Sequence, residues 1–206
     1  MIAGNHLPPT ELAAVQAFLN SRDPATGRDD FATTETLRRW LLGQRLVAPQ
    51  AEFDEADRQH LVEVRDALAA LVRSAHEDSG NGSTRRWVTI LNEAARRVRL
   101  GVRLHPEEGY RLMAEGMGVD RPVGDLLVRV MSAMAAGSWP RLKVCANPDC
   151  GRAFYDASRN RSARWCSMAS CGNRMKGRAY RQRARSGHRT GAADGRRKAE
   201  TMAAAS

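Results

Sequence analysis

The 206-residue chain contains few aromatic residues and no long apolar run. Aromatic residues make up 5% of it, which argues against functions that need many stacking surfaces. No uninterrupted apolar stretch approaches the roughly 20 residues that a membrane-spanning helix requires. The opening segment, MIAGNHLPPTELAAVQAF, lacks the basic start and the apolar run of a signal peptide. We therefore expect a cytoplasmic protein without a membrane partner.

The sequence also lacks the residue patterns of common active sites. The segment AEGMGVD contains Gly116 and Gly118 but not the third glycine of a dinucleotide-binding loop. Five histidines are scattered without the spacing of a metal site or a catalytic triad: His6, His60, His76, His105 and His188. We therefore predict that the chain is not an enzyme. An enzyme with its site in the helical body is the least favoured alternative.

Acidic residues are scarce in one part of this basic chain, whose net charge is +10. Residues 139–189 contain thirteen lysines and arginines but only two acids, Asp149 and Asp156, which gives this segment a net charge of +11. Residues 1–138, in contrast, carry a net charge of −2. This asymmetry predicts an anionic polymer as the partner of the basic segment.

All four cysteines lie in the basic segment, as two C-x4-C pairs separated by fifteen residues. Two disulfides are less favoured because cytoplasmic thiols stay reduced, and a thioredoxin-like pair would need C-x-x-C beside a strand–helix unit. Two cysteine pairs with a short spacer are typical of a tetrahedral zinc site. Four thiolates leave no coordination position for a reactive water, so the metal is structural. We predict one Zn²⁺ per chain, bound by Cys145, Cys150, Cys166 and Cys171.

The predicted fold is mainly α with a small β-hairpin. Apolar residues recur at helical spacing in four segments before residue 99, and again from Leu126 to Met134. Residues 100–104 and 110–112 alternate instead, on either side of the turn HPEEG, which predicts the hairpin. The chain would thus form a helical N-terminal domain and a small C-terminal four-cysteine zinc finger that ends in a basic helix.

The segment after Cys171, GNRMKGRAYRQRARSG, predicts that basic helix. Its arginines recur at i, i+4, i+7 and i+11, which places them on one helical face. Like charges at this spacing destabilise an isolated helix, so neutralisation by phosphates would stabilise it. The predicted nucleic-acid contacts on the helix are Arg174, Lys176, Arg178, Arg181 and Arg185. Further backbone contacts are expected from Arg159, Arg161 and Arg164 in the spacer.

The segment RLKVCANPDCGRAFYDASRNRSARWCSMASCGNRMKGRAYRQR resembles the CGNR zinc finger, which is named after the tetrapeptide 171–174. Residues AFLNSRDPATGRDDFATTETLRRWLLGQRLV are similar to the opening of the ABATE domain, which precedes the finger in that family. The resemblance implies a bacterial, stress-induced transcription regulator with zinc on the four cysteines and the finger on DNA. It divides the chain into an ABATE-like domain (1–138), the finger (139–188) and a tail (189–206) that we expect to be disordered. Within the signature, we expect Asn173 to hydrogen bond to the local backbone.

DNA is the predicted partner, and an RNA-binding or ribosome-associated zinc protein is the alternative, because phosphate contacts alone do not distinguish the two polymers. The resemblance also implies that the helical domain senses a ligand. A small-molecule effector and a second copy of the chain are further candidate partners. Candidate ligand-binding residues are Asn20, Asp30 and Trp40. A core position for Trp40 and helix caps for the two polar residues are the alternatives.

Overall fold

A computed structural model describes residues 8–75, 83–107 and 109–184 of the chain. The predictions for Arg185 and for the tail 189–206 concern residues outside these ranges, as do the positions of His6, His76 and His188. The chain divides into two compact units, with the boundary between Cys166 and Ser167. The sequence-based boundary at residues 138 and 139 stays a prediction.

The described part of residues 1–166 is mainly helical and contains three short antiparallel strand pairs. Its α-helices are α1 (Thr10–Leu19), α2 (Thr34–Gly43), α3 (Glu55–Ser74), α4 (Ser83–Arg97) and α5 (Asp120–Ala135). The strand pairs are β1 (Arg22–Asp23) with β2 (Arg28–Asp29), β3 (Leu100–His105) with β4 (Gly109–Ala114), and β5 (Leu142–Val144) with β6 (Ala153–Tyr155). A 3₁₀ turn, Trp139–Arg141, precedes β5. The predicted fold class is confirmed.

Two of the helices begin at capping boxes that the sequence encodes. The Thr33 side chain accepts a hydrogen bond from the backbone N–H of Thr36, whose hydroxyl in turn accepts one from the Thr33 N–H, at the start of α2. Asp54 and Asp57 make the same reciprocal pair at the start of α3. These side chains satisfy backbone donors that the first helical turn leaves without partners. Both helix starts are therefore fixed locally.

The hydrophobic core joins the five helices to the strand pair β5–β6. Leu12, Leu68 and Leu126 of α1, α3 and α5 are fully buried. The same core includes Leu142 of β5 and Ala153 of β6, which are 1% and 2% exposed. Burial of apolar side chains in one continuous cluster is the main stabilising term of such a unit. The first part of the cysteine-containing segment is thus packed onto the helices.

The predicted hairpin is confirmed as β3–β4, but much of one face lies in solvent. Val102 pairs with Leu112 and Leu104 with Tyr110, which puts these apolar side chains on a shared face. Val102 and Leu104 are 64% and 79% exposed. The sheet ends at Leu100 and Ala114, which pack against the core. This end of the hairpin is therefore anchored by the helices.

Candidate metal centre and nucleic-acid interface

The four cysteines come together in space as a candidate metal centre. Their sulfur atoms all lie within 4.8 Å of one another, and none forms a disulfide. The Sγ atoms of Cys150 and Cys166 are 3.7 Å apart. A tetrahedral site with Zn–S bonds of about 2.3 Å requires sulfurs about 3.8 Å apart, whereas a disulfide requires about 2 Å. The donor set and its geometry therefore fit one structural Zn²⁺, as the spacing predicts.

The first cysteine pair lies at the end of the hairpin β5–β6. The Cys145 N–H donates to the carbonyl oxygen of Arg152 at 2.9 Å, and the Cys150 N–H donates to that of Asn147 at 2.9 Å. Asn147 is fully buried within this loop. Gly151 adopts a φ of 61°, a left-handed conformation that glycine adopts at little cost. These backbone bonds place both thiols at one end of the hairpin.

The second cysteine pair leads into a helix. Residues Met168–Gly172 form a π-helical turn, and the helix continues as α6 over residues 173–184. The Ser167 side chain accepts a hydrogen bond from the Ser170 N–H at 3.3 Å, which caps the turn. Cys171 and Gly172 are buried. The Asn173 side-chain amide donates to the Ala169 carbonyl at 3.3 Å, so the expected local backbone bond of Asn173 is confirmed.

The helix α6 carries five exposed basic side chains and no acidic residue. Tyr180, on the same helix, is 70% exposed. The Arg183 side chain donates to the Ala179 carbonyl at 3.3 Å, so part of its guanidinium is engaged with the helix backbone. The exposed basic residues are Arg174, Lys176, Arg178, Arg181 and Arg183. The surface of α6 is thus suited to a polyanion and does not resemble an ordinary solvated helix face of mixed charge.

The spacer between the cysteine pairs is built around a buried carboxylate. Asp156 is 1% exposed and accepts hydrogen bonds from the Ser158 N–H and hydroxyl, from the Ala163 N–H and from the Lys143 ammonium. Burial raises the pKa of Asp156, but the hydrogen bonds from Lys143, Ser158 and Ala163 outweigh it and bring the pKa down to about 2. The carboxylate therefore stays ionised at neutral pH and holds the two sides of the spacer together.

The predicted spacer contacts lie on the outside of this loop. Arg159, Arg161 and Arg164 are all exposed. The Arg164 guanidinium lies 5.7 Å from the centre of the Trp165 ring, within cation–π distance. The Arg164 carbonyl also accepts a hydrogen bond from the Ala146 N–H at 2.8 Å. The spacer arginines and the α6 arginines remain predicted nucleic-acid contacts.

Asn20, a predicted ligand-binding residue, connects the end of α1 to the hairpin β5–β6. Its amide nitrogen donates to the Ala153 carbonyl at 2.9 Å, and its amide oxygen accepts from the Ala153 N–H at 2.8 Å. Nearby, Arg152 and Asp23 form an ion pair at 3.5 Å. Asn20 directly follows α1 and satisfies both backbone groups of a buried residue in β6. Its side chain therefore has a structural role at this junction.

The other two ligand candidates have different surroundings. Asp30 forms an ion pair with Arg28 at 3.4 Å. Trp40 is partly buried in an aromatic cluster, with its ring centre 5.2 Å from that of Phe31 and 6.0 Å from that of Phe18. None of the three candidates lines the surface cleft formed by Thr34, Glu35, Arg38, Glu52 and Phe53. The ligand-binding roles of Asn20, Asp30 and Trp40 stay predictions.

An ion pair between the buried Arg65 and the partly exposed Asp29 of β2 was not visible in the sequence. Arg65 of α3 is 2% exposed and donates to both carboxylate oxygens of Asp29, at 2.7 and 3.0 Å. It also donates to the Ser21 hydroxyl at 3.2 Å. Burial raises the pKa of Asp29, but hydrogen bonds from Arg65 and Phe31 lower it overall. This network fixes the strand pair that follows Asn20.

Sequence reasoning also missed Asp156 and Lys143 as organisers of the spacer. One signal was available, because Asp156 is one of only two acids among thirteen basic residues in 139–189. An isolated acid in such surroundings is expected to have cationic partners. Its partner Lys143, and the N–H of Ala163 seven residues later, were not identifiable from spacing.

Comparison with known families assigns both parts of the chain. Residues 12–138 match ABATE, described as a putative stress-induced transcription regulator. Residues 141–184 match the CGNR zinc finger. The ABATE match covers more than half of the 206 residues. No curated protein matches the chain. Among the described residues, no helix is long and apolar enough to cross a bilayer.

Proposed function

The chain belongs to the ABATE family and contains a CGNR zinc finger, and we propose that it is a transcription regulator that binds DNA through this finger and α6. The observation that carries the proposal is the run of exposed basic side chains on α6. This helix begins two residues after Cys171, a ligand of the candidate metal centre. A family of regulators and a polyanion-binding surface point to the same partner. The two family matches by themselves support a regulatory zinc finger protein.

Zinc has a structural role in this proposal. Bound Zn²⁺ would cross-link Cys145, Cys150, Cys166 and Cys171, and so fix the backbone that bears them. Backbone hydrogen bonds of Cys145 and Cys150 position the first cysteine pair. The Ser167 side chain caps the turn that bears Cys171 in the second pair. Four sulfur ligands complete the coordination shell of the metal, so no coordination position is left for a catalytic water.

The arginines of α6 supply affinity through phosphate contacts. Arg174, Arg178 and Arg181 occupy positions i, i+4 and i+7, so phosphates that bind them also relieve the repulsion between them. Each phosphate contact releases condensed counterions and makes the affinity depend on salt. If about five phosphates are contacted, log affinity falls with log salt at a slope of about −4 to −5 on duplex DNA.

The test compares wild-type protein with Arg178→Ala/Arg181→Ala, both loaded with zinc, by fluorescence anisotropy on duplex DNA at several salt concentrations. The double variant is expected to bind more weakly and to have a slope flatter by about two units. Arg73→Ala/Arg85→Ala is the matched control, because it removes the same charge from exposed positions of α3 and α4.

The control variant should bind like wild-type protein. Equal affinity and slope in the α6 variant would remove the main physical support for DNA binding. Structured RNA is the competitor in the same assay. If RNA displaces duplex DNA at a much lower concentration than unlabelled duplex does, the alternative of an RNA-binding protein is favoured instead.

Control by an effector is a further part of the proposal. A ligand bound near Asn20 would act directly on β6, because the Asn20 amide holds both backbone groups of Ala153. A small molecule that raises the melting temperature of wild-type protein but not of Asp30→Asn or Trp40→Phe would support the predicted ligand site. An equal rise in all three proteins would place the ligand elsewhere.

A further inference from the structure

The spacer loop 156–164 is fixed from the inside by one acid and two basic side chains. Asp156 connects the beginning of the loop to its end, through Ser158 and Ala163. Lys143 donates to Asp156 at 2.8 Å and also to the carbonyls of Arg161 and Ala163. These hydrogen bonds come from within the chain, so the loop conformation does not depend on contacts from a partner.

A third anchor comes from the 3₁₀ turn before β5. The Arg141 guanidinium donates to the Asp156 carbonyl at 2.9 Å and to the Ser158 carbonyl at 3.0 Å. The Asp156 N–H donates in turn to the Arg141 carbonyl at 2.7 Å. Arg141 and Lys143 thus tie the loop to the hairpin β5–β6, and their charges are directed inward at carbonyl and carboxylate oxygens.

The tip of the loop consists of Arg159, Asn160 and Arg161, all exposed. The Arg161 N–H donates to the Ser158 carbonyl at 3.3 Å, which closes a turn with Arg159 and Asn160 at its centre. Arg161 has a φ of 51°, in the left-handed region that is disfavoured for a non-glycine residue. Such a conformation persists where the surroundings determine it, as the Asp156 network does here. The three side chains are therefore held outward on a rigid support.

We propose that this tip is a second, preformed contact with duplex DNA, in which Asn160 reads a base edge and Arg159 and Arg161 contact phosphates. The inference rests on the proposed function. A side-chain amide can bond an adenine in the major groove through two hydrogen bonds, and flanking guanidiniums orient it against the backbone. Because the loop is already ordered, binding does not incur the free-energy cost of fixing it. Asp156 is then a positioning residue for Asn160.

The experiment begins by selecting a preferred duplex from a random library with zinc-loaded, full-length wild-type protein. Asn160→Ala is expected to lower affinity for that duplex by about 5- to 150-fold and to leave affinity for random duplexes unchanged. Arg159→Gln/Arg161→Gln is expected to weaken binding to all duplexes and to flatten the salt slope by about two units. The two variants thus separate base reading from phosphate contact.

Asp156→Asn tests the positioning role in zinc-loaded protein. It should lose preference for the selected duplex as Asn160→Ala does, and the double variant Asp156→Asn/Asn160→Ala should lose little more. An effect of Asp156→Asn that adds fully to that of Asn160→Ala on the selected duplex would overturn the positioning role. If Asp156→Asn fails to retain zinc, the results for Asn160→Ala and Arg159→Gln/Arg161→Gln test the proposed DNA contact without it.

The loop proposal and the proposed function fail in different ways. If the tip variants keep wild-type affinity, preference and salt slope while Arg178→Ala/Arg181→Ala loses binding, the loop is only a solvated surface and the regulator still binds DNA. If wild-type protein binds no duplex, both fail. A loss in the tip variants that is confined to structured RNA would overturn the assignment of the loop to duplex DNA.

Discussion

At the residue scale, the Asn20 side chain holds the backbone of a residue that lies 133 positions away in the sequence. Its amide donates to the Ala153 carbonyl and accepts from the Ala153 N–H, and Ala153 is 2% exposed. Two backbone groups in the interior of the protein thus depend on one side chain.

Asn20→Ala tests the connection between the helices and β6. The substitution leaves the N–H and the carbonyl of the buried Ala153 without their side-chain partner, so the free energy of unfolding should fall by about 1–3 kcal/mol. Urea unfolding of zinc-loaded protein, followed by circular dichroism, measures the change. Gln59→Ala removes an exposed amide from α3 and should change stability by less than about 0.5 kcal/mol. Equal effects of the two substitutions would contradict the structural role of Asn20.

These residues differ in how far the sequence revealed their roles. The four cysteines were identifiable because metal ligation restricts residue type, number and spacing together. The structural role of Asn20 was not, because its partner is the backbone of Ala153, and a backbone group leaves no mark in the sequence. Asp29 and Arg65 were missed for a similar reason: charged residues are usually exposed, and only the tertiary fold shows that Arg65 is buried.

At the scale of elements, the periodicity of apolar residues was sufficient to predict the longer helices and strands. The helices α2 to α5 are amphipathic and the β3–β4 hairpin alternates, so each has a period that the sequence displays. The strands β1 and β2 have two residues each, which is too short for any period. Met131 and Met134 follow the apolar pattern of α5 but are 42% and 45% exposed, because periodicity gives the face of a helix and not how far the core extends along it.

Gly124 of α5 offers a test of packing between elements. A Cβ atom at this position would lie 2.2 Å from Val98 Cγ1 and 2.4 Å from the Cβ of Ala114, so the helix must pass close to β4. Alanine has a higher helix propensity than glycine by about 1 kcal/mol, but overpacking a core costs about 1–3 kcal/mol. We expect Gly124→Ala to lower the melting temperature of the protein.

The matched control is Gly43→Ala, at the last residue of α2, where a Cβ would meet no atom within 4 Å. This variant should melt at the wild-type temperature or above it. A Gly124→Ala protein that is as stable as Gly43→Ala would show that α5 and β4 are not in close contact.

At the scale of the whole molecule, the charge asymmetry and the two family resemblances were readable from the sequence, and the continuity of the core was not. When the finger segment is taken alone, Phe154, Tyr155 and Trp165 are its natural small core. In the structure, Leu142 and Ala153 belong to the same core as the helices. Whether two adjacent segments share a core depends on which faces meet, and a periodicity within one segment carries no information about that.

Zinc removal should therefore affect the helical part of the protein as well as the finger. A chelator should lower the melting temperature of the helices, because the hairpin that bears Cys145 and Cys150 contributes Leu142 and Ala153 to their core. Most of the helical circular dichroism should remain at low temperature. Adding Zn²⁺ back should restore the melting temperature, and Mg²⁺ should not. An unchanged melting temperature, or metal analysis giving clearly less than one zinc per chain, would contradict this account.

The position of Trp139, Leu142 and Ala153 in the core has a consequence for how such regulators change over evolutionary time. A recombination event between residues 138 and 139 would join a new finger to helices shaped for these three side chains. The recombinant protein would have either a cavity or a steric clash where these side chains pack, and the Asn20 amide would lose its partner in β6. Exchange of fingers between relatives is therefore expected to succeed only when the underlying contact surface is inherited with them, so that selection acts on the helices and the hairpin as one heritable unit.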